Sequence, residues 1–130
     1  MSTLTIVTAT DLPAPAGHYS YAVAYGGLLY ISGQLGRSQD MTDEVAGDAS
    51  VQTRRALSAI ITIARSAGSD IFRLLKVNVY VTDVALWPAV NAEYAAIFGV
   101  HRPARAVIPV NPLHYGALVE IDAIAAMGSD

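Results

Sequence analysis

Apolar residues recur along this chain at two spacings, and the change from one to the other divides it into elements. Residues 3–9, "TLTIVTA", set Leu4 and Ile6 between polar threonines, the period-two pattern of a strand. "DLPAPAGH" breaks that pattern with two prolines and a glycine. "YSYAVAY" and "LLYISGQL" then flank Gly26 and Gly27, a two-residue link that predicts a β-hairpin. Residues 37–47 are polar and predict a loop.

From residue 48 to 67 the period changes, with apolar groups at 57, 60, 61 and 64 and arginines elsewhere. This spacing predicts an amphipathic helix that Gly68 ends. "LLKVNVYVTD" returns to alternation, with Leu75, Val77, Val79 and Val81 on one face. "LWPAVNAEYAAIF" sets Trp87, Val90, Tyr94 and Ile97 at helical spacing, with Pro88 in the first turn and Gly99 as the stop. Two closing strands follow, carrying Val107, Ile108 and Val110, then Val119, Ile121 and Ile124; these are predicted to be hairpin-linked neighbours. The order is that of an α+β domain, one sheet with both helices on one face. Its other face needs cover, which subunit association would supply.

With 130 residues and no linker or repeat, positions 1–130 are read as a single domain. Hydrophobic residues make up 53% and charged ones 15%, a greasy balance that strengthens the expectation of an oligomer. No apolar run approaches the ~20 residues of a membrane span, and the N-terminus lacks the basic and apolar blocks of a signal peptide. Cysteine is absent, which excludes disulfides and thiolate chemistry and suits a cytoplasmic protein. A net charge of -3 without a basic cluster argues against nucleic acid as the main partner.

Two charged residues disturb the apolar pattern. Arg105 heads one closing strand and Glu120 lies inside the other, in places where unpaired charge is seldom buried. Arg105 either joins a salt bridge or holds its head in water, or offers its fork to a carboxylate ligand. Glu120 shares a face with Asp122; the pair either point to solvent, hold Arg105, or leave one acid to orient a water molecule. Tyr19, Ser20 and Tyr21, Ser32 in Ser-Gly-Gln, and Asn91 beside a greasy helix stripe are pocket candidates and equally ordinary surface groups. His18, His101 and His114 stand apart, without the spacing of metal ligands, and no phosphate loop, dinucleotide fingerprint or nucleophile elbow occurs.

Taken together, "YISGQLG", "QTRRAL", "ARSAGSDIFRLLKVNVYVTD", "VNAEYAAIF", "RPARAVIPV" and "GALVEIDAIA" resemble, in order, the RidA (YjgF-type) family of reactive-intermediate deaminases. The resemblance runs from "GHYSYAV" to "VEIDAIA" and implies a chorismate-mutase-like fold in a homotrimer, with sites between subunits. It implies hydrolysis of small enamines or imines derived from amino acids to 2-oxo acids and ammonia, without a cofactor. By this resemblance Arg105, in the Pro-Ala-Arg triplet, binds the substrate carboxylate, and Glu120 positions the attacking water. Tyr19, Ser32 and Asn91 match other cleft positions; Val107 stands where the family often carries cysteine, leaving its backbone to bond the imine nitrogen. Three departures bear on substrate: Tyr21 replaces an amide, Ala59 an asparagine, and His114 a proline. They keep open a non-catalytic carboxylate-binding or regulatory trimer, or an enzyme for another unsaturated acid.

Overall fold

The computed structural model describes residues 3–37 and 45–128. Six strands, β1 (Thr5–Val7), β2 (Ala22–Tyr25), β3 (Leu28–Leu35), β4 (Leu74–Val81), β5 (Ala104–Pro109) and β6 (Val119–Ala126), accompany two helices, α1 (Ala49–Ser66) and α2 (Trp87–Phe98). The strands form one mixed sheet in the order β1-β2-β3-β6-β4-β5. Only β4 and β5 run parallel, because the chain returns from one to the other through α2 rather than through a tight turn. The link at Gly26 and Gly27 closes β2 on β3 with φ of 61° and 80°, a region glycine enters without steric penalty.

Asp48 caps α1 by accepting a hydrogen bond from the Val51 amide at 3.0 Å, so the helix starts one residue inside the predicted span. Leu57, Ile60 and Ile63 of α1 are fully buried against Val77, Val79 and Val81 of β4 and Val119 and Ile121 of β6. Each such side chain contributes about 1.5–3 kcal/mol relative to exposure. In α2 the buried stripe is Val90, Tyr94 and Phe98, with Ile97 half-buried beside it. Alternate residues of β3, β4 and β6 are thus sealed under the helices, while Tyr30, Asn78, Tyr80, Glu120, Asp122 and Ile124 lie on the opposite face.

Three expectations about strands are corrected. The closing strands are not neighbours: β6 inserts between β3 and β4, and β5 remains at the outer edge of β4. With Val119, Ile121, Ala123 and Ala125 all buried, β6 suits the centre of the sheet, where it pairs on both sides. In β4, Leu75 is exposed and Leu74 buried, because a register shift between Leu74 and Lys76 turns Leu75 outward. The first strand is also shorter than predicted, three residues paired only to β2. The predicted loop at 37–47 lies largely outside the described residues. No described helix is long and apolar enough to cross a membrane.

Candidate functional site

Arg105 pairs in register with Val77, whose side chain is buried under the helices, so the two share the helix face. There α2 receives it: the guanidinium carbon sits 4.6 Å from the Trp87 ring centre and 4.7 Å from that of Tyr94. Its Nη1 donates to Asn91 Oδ1 at 3.1 Å. Trp87, Asn91 and Tyr94 are spaced i, i+4 and i+7, one face of the helix, so α2 presents them together. Two rings hold the cation and one amide aims it, yet no described carboxylate pairs with it. Burial pushes the Tyr94 phenol up to about 12, against the opposing pull of Arg105, so Tyr94 stays neutral and leaves the cation's charge uncancelled. Val107 lies half-buried on the same face of the strand.

Glu120 faces the other way. It pairs in register with Tyr80 on the side of the sheet away from the helices, with β4 between it and β5. Its neighbour Asp122 is fully engaged, accepting from Asn78 Nδ2 at 2.9 Å and from the Tyr80 hydroxyl at 2.8 Å. That bond, ahead of burial, raises the Tyr80 phenol to about 12. The Glu120 carboxylate accepts no hydrogen bond from any other described residue, although its backbone is paired in the sheet. Its carboxyl rests instead on Gly33, where the β3 register shifts between Ile31 and Gln34. Burial, then the Asp122 charge, raise the Glu120 pKa, while His114 opposes them. The two acids that sequence leaves equivalent therefore divide: Asp122 is a structural acceptor, and the Glu120 carboxyl has no described hydrogen-bond partner.

Glu120 lines a cleft of about 620 Å³ together with Tyr19, Tyr21, Ser32, Arg37, His114 and Tyr115. Ser32 donates its hydroxyl to the Ser20 carbonyl at 2.6 Å, tying β3 to the loop before β2. Tyr21 forms wall rather than mouth: it is 4% exposed and donates its hydroxyl to the Pro13 carbonyl at 2.7 Å, fixing the loop that roofs the cleft. Tyr19 is exposed at the rim. Gln52 of α1 ties the helix start to the strand that carries Glu120, donating to the Gly47 carbonyl and accepting from the Leu118 amide, both at 2.8 Å. Ala59 is buried on α1 and does not line the cleft.

The structure therefore gathers the predicted residues into two separate groups. Tyr19, Tyr21, Ser32 and Glu120 share the cleft; Asn91, Arg105 and Val107 share the β5–α2 edge on the other side of the sheet. The sequence pattern places Trp87 and Tyr94 only on a core stripe, and Arg37 only in a loop. The signal for the first two was the polar Asn91 at their shared spacing, which marks a face that does not close on core alone. Among the described residues no three His, Asp or Glu side chains converge as metal ligands.

Residues 9–127 match the family model described as Endoribonuclease L-PSP. A 2-iminobutanoate/2-iminopropanoate deaminase of Capra hircus is 38% identical over 123 residues, 95% of this chain and 90% of that protein. The chain belongs to the RidA/YjgF family. Among solved RidA/YjgF relatives, YyfA of Yersinia pestis, a Rid protein, superposes with a TM-score of 0.89 at 34% identity, covering 95% of this chain and 99% of its own. TdcF of E. coli, solved with bound serine, gives 0.87 at 28% identity, covering 94% and 98%. The six-stranded sheet with two helices is the fold that this RidA/YjgF chain shares with these neighbours.

Proposed function

We propose that this protein is a cofactor-independent deaminase that hydrolyses small imines and enamines derived from amino acids to 2-oxo acids and ammonia. The observation that carries the reading is complementary incompleteness. One edge of the chain offers a caged cation lacking a carboxylate, and the opposite face offers a cleft with an uncommitted, partly desolvated carboxylate. Neither half is a site for an imino acid by itself. A homotrimer that sets the β5–α2 edge of one subunit against the cleft of the next completes both. The greasy composition and the exposed Tyr30 on the open sheet face support such an assembly.

In the joined site, the Arg105 fork takes the substrate carboxylate in paired hydrogen bonds. This fixes the C=N carbon opposite a water held by Glu120. Glu120 takes a proton from the water as its oxygen bonds to the carbon of the protonated imine, giving a neutral carbinolamine. Glu120 returns that proton to nitrogen; the C–N bond then breaks, ammonia leaves, and the hydroxyl passes its proton to Glu120 as the carbonyl of the 2-oxo acid forms. Imines of 2-oxo acids are already electrophilic, so orientation and one proton carrier are what the protein must add. Val107 lies beside Arg105, where its backbone reaches the imine nitrogen; Tyr19 and Ser32 complete the wall. TdcF, a relative of the same fold, is solved with bound serine, which supports a small substrate derived from an amino acid.

The test is release of 2-oxo acid from 2-iminobutanoate generated in the cuvette by an amino-acid oxidase. The parent accelerates it, and Arg105→Ala, folded and assembled, loses at least about 100-fold in kcat/KM. Thermal stabilisation by 2-oxobutanoate without turnover of any imine would instead establish a binding protein.

A further inference from the structure

We infer that Arg37 is a second anion-binding group of the cleft, so that the preferred substrate is a dicarboxylic 2-imino acid. The inference rests on the deaminase reading for the position of the reacting carbon, and it deepens that reading by naming the substrate's side chain. A three- or four-carbon imino acid needs one cation, which Arg105 supplies. The cleft brings another guanidinium, and Glu120 is the only carboxylate among its described lining residues.

Arg37 is held in place from below and from the side. Its amide donates to the Leu35 carbonyl at 2.9 Å, and Gly36 packs so tightly on the Gln52 backbone that no side chain fits there. Its guanidinium carbon lies 4.6 Å from the Tyr115 ring centre. Tyr115 is the one described residue other than glycine in the left-handed region, at φ 60° and ψ 24°, in the turn His114–Gly116. Such a conformation persists only where surroundings impose it, and it concentrates at ligand clamps. Core burial is not the reason here, because Tyr115 is 62% exposed. What the strained turn achieves is to stand a ring at the cleft rim, between the His114 imidazole at 5.9 Å and the Arg37 guanidinium.

Glu120 and Arg37 hold separate places in the cleft: the carboxyl lies on Gly33, and the guanidinium lies over the Tyr115 ring. A substrate with its imine carbon at Glu120 and its α-carboxylate on the neighbour's Arg105 extends its side chain toward Tyr21, Tyr115 and Arg37. A carboxylate at that end meets a planar fork already oriented by an aromatic face.

The experiment compares kcat/KM for 2-iminoglutarate and 2-iminobutanoate, with thermal shifts by 2-oxoglutarate and 2-oxobutanoate measured alongside. The parent favours the dicarboxylic imine, and in Arg37→Gln the ratio of the two constants falls by roughly 10- to 100-fold. Arg37→Lys, which keeps the charge and loses the fork, retains part of the preference. An unchanged ratio in Arg37→Gln overturns the inference, as does a parent stabilised no more by 2-oxoglutarate than by 2-oxobutanoate. If neither imine is consumed, the deaminase reading fails alone, and the thermal shifts of parent and Arg37→Gln still decide whether Arg37 binds the second carboxylate.

Discussion

The Glu120 carboxyl occupies the volume that a side chain on Gly33 would need. Gly33 does not have a positive φ, so its lack of a side chain is a matter of space and not of backbone conformation. The irregularity in β3 and the missing Cβ together make a seat on which the acid lies beside Ser32. Gly33→Ala is therefore expected to fold with a melting temperature close to the parent's and to lose about 100-fold in kcat/KM, by moving the base out of line. Imine turnover and a thermal melt on the same preparation check both halves of this expectation.

Burial and the Asp122 charge raise Glu120 above its ordinary 4.5. As the proposed base Glu120 acts in its ionised form, so activity is expected to fall as pH drops through its raised pKa, with the acid limb of kcat/KM above the ordinary Glu value. The effect on stability has the opposite sense. The folded state binds this proton more tightly than the unfolded one, so stability declines as pH rises from the unfolded to the folded pKa and stays reduced above it. Glu120→Gln is expected to abolish turnover and to melt higher than the parent at pH 7, with the difference gone below the ordinary value. Melting curves across pH, beside a pH–rate profile of the parent, measure both.

The cage around Arg105 separates face from edge contributions. Tyr94 is buried at 6% exposure, and its hydroxyl has no hydrogen-bond partner among the described residues. Tyr94→Phe keeps the ring and removes that hydroxyl, so stability is expected to hold or rise and KM to stay near the parent's. Trp87→Ala opens one side of the cage and releases the guanidinium, at a loss of about 1 kcal/mol of orientation. That is read as roughly a fivefold rise in KM.

Local pattern carried most of the fold. The period of two in β4 and β6 and the spacing of Leu57, Ile60 and Ala64 follow directly from which residues must meet the core. Leu75 departs because a bulge changes the alternation, which depends on the partner strand and not on β4 itself. The neighbourhood of β6 was likewise outside the reach of periodicity: both β3 and β4 offered it a free edge, and adjacency in sequence to β5 pointed elsewhere. For the site, residue type singles out Arg105 and Glu120 as candidates, but not that they face opposite sides of the sheet. Only the parallel pairing of Arg105 with Val77 and the antiparallel pairing of Glu120 with Tyr80 determine that. Nothing around Arg37 in the sequence announces its contact with the Tyr115 ring, because Tyr115 lies far along the chain.

The central claim is that each reaction site takes Arg105 from one subunit and Glu120 from another. Arg105→Ala and Glu120→Gln, each inactive alone, are co-expressed with different affinity tags, and assemblies holding both are purified through the two tags in turn. In a cyclic trimer of either composition one site in three contains both intact residues, so about a third of the parental imine turnover returns. Mixed assemblies as inactive as the two variants alone would contradict the account.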